Sequence, residues 1–425
     1  MSGRLTPSIA AAILVAAVIN SGCGERSTVG EPPFRLGTEM SAVSTTAVGL
    51  DGTVYWAWFD RDADATNVYF SRLKPGEDGP SNPIRVNRVD GEANMHGQAP
   101  AQLAVGPNGD IYVVWSSRIE VEGRRFPASD VLFAKSSDRG LTFSEAQIVN
   151  DDAGGPPSGH TFHDVAVSPD GTIYVSWIDT RALDAARNGS PDAMHHADGE
   201  EDHMHGHHES ITADMPGPEI RVATSTDGGR SFGPSVVVDR SSCPCCRTSL
   251  AVGPDSAVYV AWRKVYEGDI RDMAISQSGD GGATFSEARR IHVDDWNFDG
   301  CPHTGPDLVV DAGGRVHVAW YTGAAGGSGL FYAVSDGDRF TEPVTLQSDT
   351  PVSQVRIAQD GERDVWLAWE DSRAGAVNLA HVEAGIVEPV TTTFSGNQPS
   401  LAVGNGVISI SWNTTKGVAA EVIRQ

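Results

Sequence analysis

The sequence predicts an all-β chain arranged as a seven-bladed β-propeller, and three observations carry that expectation. A motif of two short apolar strands around a Pro/Asp/Gly turn, closing on Trp, recurs along the chain. Beyond the N-terminal segment no long stretch spaces its apolar residues at i, i+3, i+4 and i+7, as a helix would require. The 47 Gly and 24 Pro in 425 residues supply tight turns for many short strands.

The windows Thr46–Trp58, Leu103–Trp115, Val165–Trp177, Leu250–Trp262 and Leu308–Trp320 align without gaps. Val355–Trp369 is two residues longer and Leu401–Trp412 one shorter. In Leu250-Ala-Val-Gly-Pro-Asp-Ser-Ala-Val-Tyr-Val-Ala-Trp262 the second half alternates β-branched or aromatic residues with small ones, the period of a strand. A third strand follows in most units, as at Asn67–Ser71, Val131–Lys135, Ile220–Thr224 and Met273–Ser276. Copies spaced roughly 45–85 residues apart indicate small antiparallel sheets repeated radially, because one such sheet cannot bury both faces and a closed ring can. The last unit ends after its third strand near Val422, and Pro33–Thr38 is the candidate for its missing outer strand. A six-bladed ring is the alternative, with one divergent C-terminal copy serving another purpose.

Three third strands run into Ser136-Ser-Asp-Arg-Gly-Leu-Thr-Phe143, Ser225-Thr-Asp-Gly-Gly-Arg-Ser-Phe232 and Ser278-Gly-Asp-Gly-Gly-Ala-Thr-Phe285, with a degenerate copy at Ser335–Phe340. The pattern resembles the Asp-box (BNR repeat) of bacterial sialidases and their non-enzymatic relatives. That resemblance spans nearly the whole mature chain and implies a sialidase-like propeller. It is weak for activity, since Asp and Gly here shape a hairpin, and propellers host many functions.

Residues 1–23 read as a lipoprotein signal peptide. Arg4 precedes an apolar run from Ile9 to Ile19, too short to span a bilayer, and Asn20-Ser21-Gly22-Cys23 resembles a bacterial lipoprotein cleavage site. Cys23 is then the lipidated residue, residues 24–32 a flexible tether, and 33–425 a single propeller. The expected location is the bacterial cell envelope, held to the membrane by the lipid alone. A formal charge of −25 argues against a nucleic-acid partner, which needs a basic face.

In a blade of strands A to D, the D–A and B–C connections share one face of the ring. Cys243 and Cys301 each fall seven residues before a repeat window, at Leu250 and Leu308, and each begins Cys-Pro. His96 has the same offset from Leu103. His160 is in register with Cys245, and His303 follows Cys301 at that position, with His163 close by. Four neighbouring blades thus present Cys or His at one inner rim. Such a set suits copper(I) or zinc, with Cys243, Cys245, Cys246, Cys301 and His303 as ligands and His96, His160 and His163 supporting. The competing reading is a Cys243–Cys301 disulfide stapling two blades in an oxidising compartment.

A B–C insertion at about 182–218 carries Met194-His-His-Ala-Asp-Gly-Glu-Glu-Asp-His-Met-His-Gly-His-His208. Its His195, His196, His203, His205, His207 and His208 form a tract that captures exchanging transition metals. The Trp-x-Asp-x-Arg copies at Trp177–Arg181 and Trp369–Arg373, with Trp58-Phe-Asp60-Arg61 as a near copy, read as turn-shaping Asp–Arg pairs. The sialidase resemblance implies a second function, exo-α-sialidase-type hydrolysis. Its candidates are Arg35 for the substrate carboxylate, Asp60 as acid, and Tyr266 with Glu267 as the nucleophile pair. A complete arginine triad is not found. The expected function is a transition-metal-binding propeller in metal handling or redox, with a glycosidase or an envelope scaffold contacting proteins or a glycan as alternatives.

Overall fold

The structure, a computed structural model, describes residues 34–62, 65–124, 126–188, 216–351, 354–360, 365–383 and 386–424. It contains seven antiparallel sheets, and the six-blade alternative falls away. Blade 1 is formed by Ala42–Val48, Val54–Asp62, Ala65–Leu73 and Ile84–Arg85, and blade 2 by Gln102–Val105, Ile111–Ser116, Val131–Ser136 and Gln147–Ile148. Blade 3 takes His160–Val167, Ile173–Asp179, Glu219–Ser225 and Val236–Asp239, and blade 4 Ser249–Val252, Val258–Arg263, Met273–Ser278 and Arg289–Arg290. Blade 5 takes Asp307–Val310, Val316–Thr322, Gly329–Asp336 and Val344–Ser348, and blade 6 Val355–Gln359, Val365–Asp371, Ala376–Glu383 and Ile386–Ser395. Blade 7 takes Asn397–Gly404, Val407–Thr414 and Gly417–Arg424. Its outer strand is Phe34–Leu36 from the other end of the chain, with Phe34 opposite Ala420 and Leu36 opposite Val418.

The repeat forms a ring because each second strand is apolar on both faces. Val54–Phe59, Ile111–Ser116 and Val258–Arg263 are buried along their length, so each sheet must be covered twice. The described core falls into seven clusters, one between each pair of consecutive blades, including one that joins blade 7 to blade 1 through Leu36, Trp56, Trp58, Val418 and Ala420. The window tryptophans Trp58, Trp115, Trp177, Trp262 and Trp320 are fully enclosed. Each removes about 200 Å² from water, worth at most about 5 kcal/mol at roughly 25 cal/mol per Å².

The Ser-x-Asp-x-Gly-x-x-Phe segments are C–D turns, on the face away from the D–A connections. Asp138 accepts from the Leu141 and Thr142 backbone N–H groups, and Asp227 from Arg230 and Ser231. Gly229 has φ +80°, and a Cβ there would meet the Phe133 ring at 2.6 Å. Phe143 and Phe232 pack edge-on against Phe70 and Phe133 of the preceding blades, so each turn also ties two blades together.

One helix, Arg181–Asn188, appears among the described residues, at the start of the B–C insertion, where a loop is expected. Thr180 caps it: its carbonyl accepts from Asp184 N–H, and its hydroxyl donates to the Asp184 carboxylate. The six histidines of the insertion lie outside the described residues.

Candidate metal centre

Both cysteine-bearing segments are D–A connections. Cys243 N–H donates to Arg263 O at 2.8 Å, which fixes the start of the first segment to the end of the second strand of blade 4. Pro244 and the following turn then fold the chain so that Cys245 and Cys246 both face back on Cys243. The Cys243 Sγ lies 3.6 Å from Cys245 Sγ and 3.5 Å from Cys246 Sγ. The second segment is pressed onto the first at Gly305, where a Cβ would meet Arg247 O at 2.2 Å. Only glycine permits that approach. It brings Cys301 and His303 to Cys245, so that the ligand atoms of these three lie within 4.8 Å of one another.

Two triads therefore share Cys245: Cys243/Cys245/Cys246, all buried, and Cys245/Cys301/His303, in which Cys301 is half-buried and His303 exposed. A four-coordinate ion with metal–sulfur bonds of about 2.3 Å places its sulfurs about 3.8 Å apart. The spacing of the first triad is close to that. All four thiols are unbridged, and Cys301 neighbours Cys245 rather than Cys243, so the Cys243–Cys301 staple is not formed.

The surrounding charge favours thiolate. Hydrogen bonds from the Cys245 and Cys246 thiols hold Cys243 well below the ordinary thiol range, aided by the Arg271 and Arg263 guanidinium charges. Arg271 Nη1 donates to Cys243 Sγ at 3.3 Å. The Cys243 neighbour pushes Cys245 up, and burial pushes Cys246 up to about 12. Negative charge in the metal-free cluster therefore favours Cys243, and binding of an ion by all three sulfurs releases the thiol protons that remain.

Three buried arginines frame these sulfurs, and none belongs to a motif of the sequence. Arg263 donates to Thr304 O, Arg271 O and Tyr321 O and lies over the Trp296 ring at 4.7 Å, locking blade 4 to the Cys301–Asp307 segment. Arg271 Nε donates to Phe298 O, which anchors the chain just before that segment. Arg247 crosses to blade 6, donating to Gln354 Oε1 and Val355 O at 2.6 Å, while Gln354 Nε2 donates to His303 O at 2.9 Å. Burial pulls Arg247 down to about 9. One signal lay in the sequence: Arg263 occupies the strand position held by Phe59, Ser116 and Ile178 in the first three blades, none of them charged.

The predicted histidines divide. His303 stands in the second triad, and its backbone takes the left-handed φ of +49°, which aims the ring from a constrained position. His96 reaches it across the channel mouth, with ring centroids 5.9 Å apart. Its Nδ1 accepts from Gln98 N–H, so a neutral ring carries its proton on Nε2 and supports rather than ligates. His160 and His163 do not join the thiols. His160 bonds Ser129 O and lies between Asp152 and Asp179, whereas His163 is enclosed with Ser116 Oγ and Pro100 O as partners. The cause is local. The inner strand of blade 3 already starts at His160 and bulges between Thr161 and Asp164, so residues expected in the connection lie within the strand.

The sialidase candidates remain apart. Arg35 projects, exposed, from the Phe34–Leu36 strand opposite Ala419. Asp60 accepts from the Thr38 and Ser41 hydroxyls. The Tyr266 hydroxyl is buried without a hydrogen-bond partner, its ring 4.0 Å from the Arg290 guanidinium, and Glu267 is exposed. Among the described residues no hydrogen bond or ion pair joins any two of the four. Of the Trp-x-Asp-x-Arg copies, Asp179 accepts from Trp177 Nε1 and from the Arg181 guanidinium and backbone, and Asp371 accepts from Arg373 and Ala374 N–H. Both act as turn devices.

No family model matches the chain, and no curated protein does. Solved structures do. A Hadza microbial sialidase aligns at TM-score 0.52 and 14% identity, over 89% of this chain and 74% of its own. An ulvan lyase, described as a new family of polysaccharide lyase, aligns at TM-score 0.56 and 12% identity, over 92% of this chain and 96% of its own. A protein of unknown function from Dyadobacter fermentans aligns at TM-score 0.50 and 11% identity, over 93% and 98%. With the ring closed as described, the chain is a seven-bladed β-propeller of the sialidase-like fold.

Proposed function

We propose that this propeller binds a soft transition-metal ion, copper(I) in first place and zinc in second, at the Cys-Pro rim. The observation that carries the reading is the meeting of Cys243, Cys245, Cys246, Cys301 and His303, from the connections leading into blades 4 and 5, in two overlapping triads. Thiolates with one imidazole select these ions over magnesium or calcium. The buried arginines supply positive charge that offsets a negative copper(I)–thiolate group. The signal-like segment before Cys23 supports an envelope location, with the 194–208 histidines gathering ions for the rim and metal handling or redox as the role.

The test is metal content on the chain starting after Cys23, with His195, His196, His203, His205, His207 and His208 replaced by Gln. At least one copper or zinc per chain, lost in the Cys245→Ser, Cys301→Ser double variant, supports the reading. Full metal retention by that variant removes it. An exo-α-sialidase activity has only the fold behind it. Turnover of an aryl sialoside, abolished by substitution of Arg35 or Asp60, would establish it instead.

A further inference from the structure

The two triads differ in their access to solvent. Cys243 and Cys246 are at most 1% exposed and Cys245 5%, whereas Cys301 is half-buried and His303 opens to the channel mouth. The shared ligand, Cys245, is the point where the exposed group meets the buried one. The outer pair is also mounted differently from the inner one. His303 sits at a left-handed backbone position, tied through its carbonyl to Gln354, and Arg247 bonds that same Gln354 from behind the cysteines. The inner sulfurs are packed in the apolar interface of blades 3 and 4, with Phe162, Leu250 and Trp262. An ion from solvent has no other described ligand set leading to the buried sulfurs.

We infer that the centre is a two-station relay: Cys245, Cys301 and His303 receive copper(I) at the mouth, and the ion then passes to Cys243, Cys245 and Cys246. This rests on the metal reading above and adds an order of events to it. Cys245 stays bonded throughout. The bonds to Cys301 Sγ and the His303 ring break as bonds to Cys243 Sγ and Cys246 Sγ form. On loading, the Cys245 and Cys301 thiols release their protons to solvent; on transfer Cys246 gives up its thiol proton and Cys301 takes one up, so charge balances and copper stays in the +1 state. Associative exchange through a shared thiolate never leaves the ion without ligands, which is the physical advantage of overlapping triads over separate ones.

The test is copper(I) loading from a competing chelator, on the chain with the six loop histidines replaced by Gln, followed by the near-ultraviolet absorption of copper–thiolate bonds. The exposed His303 ring is removed by His303→Ala, which leaves the packed sulfurs alone, and circular dichroism checks the fold. His303→Ala and Cys301→Ser are expected to load at least about tenfold more slowly than the unsubstituted chain. Cys246→Ser is expected to load at the unsubstituted rate yet hold copper at least about a hundredfold more weakly. Unchanged loading rates in both His303→Ala and Cys301→Ser would overturn the relay while leaving a metal site. Failure of the unsubstituted chain to bind copper(I) at all would overturn the metal reading and the relay with it.

Discussion

Arg271 Nη1 lies 3.3 Å from Cys243 Sγ, and the two residues come from different strand connections of blade 4. Among the described residues Arg271 has no carboxylate within ion-pair distance, so the sulfur is its nearest negative partner. A buried guanidinium beside a thiol favours the thiolate. Replacing Arg271 by Gln keeps a donor and removes the charge. The thiolate absorption of the metal-free chain is expected to titrate at least about one pH unit higher. An unmoved titration would locate the thiolate's stabilisation elsewhere.

Arg263 stabilises the junction of blades 4 and 5. Its guanidinium satisfies three buried backbone carbonyls and stacks on Trp296. Arg263→Met leaves those carbonyls unpaired, at about 1–3 kcal/mol for a buried group. A total loss of about 3–5 kcal/mol is expected, read from urea unfolding of the metal-free chain. A loss under about 1 kcal/mol would show that water replaces the guanidinium.

Asp164 should make stability fall as pH rises. Burial, reinforced by the Asp307 charge, pushes its carboxyl up to about 7, against opposing hydrogen bonds from Leu250 and Val165 N–H and the Arg356 charge. Below about pH 4 both folded and unfolded chains hold the proton, and no cost arises. Between pH 4 and 7 the unfolded chain ionises while the folded one resists, and the cost is complete above pH 7. At about 1.4 kcal/mol per unit this comes to on the order of 4 kcal/mol. Asp164→Asn keeps an acceptor for Leu250 N–H, so its stability relative to the parent should improve by that order between pH 4 and 8. A difference that stays flat with pH would refute the assignment.

Gly229 is expected to tolerate no side chain. It combines φ +80° with a Phe133 ring 2.6 Å from the position of a Cβ. Gly229→Ala should cost about 2–4 kcal/mol from backbone strain and overpacking together. Gly171, at φ +88° with open space around it, should lose only the strain part, about 1 kcal/mol. Thermal unfolding of the two variants separates the terms, and equal losses would show that packing under the Asp-box turn is loose.

The parts of the molecule legible in its sequence are those set by period and turn chemistry. The alternation ending in Trp58 or Trp262, the Ser136–Phe143 hairpin and the strand at Phe34–Leu36 all follow from local pattern. The site was legible only where a repeat offset kept its meaning. Cys243 and Cys301 lie in connections as the offset implies, but the inner strand of blade 3 begins early and carries His160 and His163 out of register. Arg247 and Arg271 were hidden for a different reason. Their roles depend on which carbonyl or sulfur another blade presents, and no period along the chain encodes that.

The strand Phe34–Leu36 pairs with Gly417–Arg424, so a strand made early in synthesis waits for one made almost last. During synthesis the apolar side of blade 1 at Trp56 and Trp58 has no cover until blade 7 exists. Contacts of such large sequence separation slow folding, since the loop must close before they can form. The growing chain therefore holds an open arc with two bare ends. The propeller becomes a cooperative unit in one late step, when its termini meet.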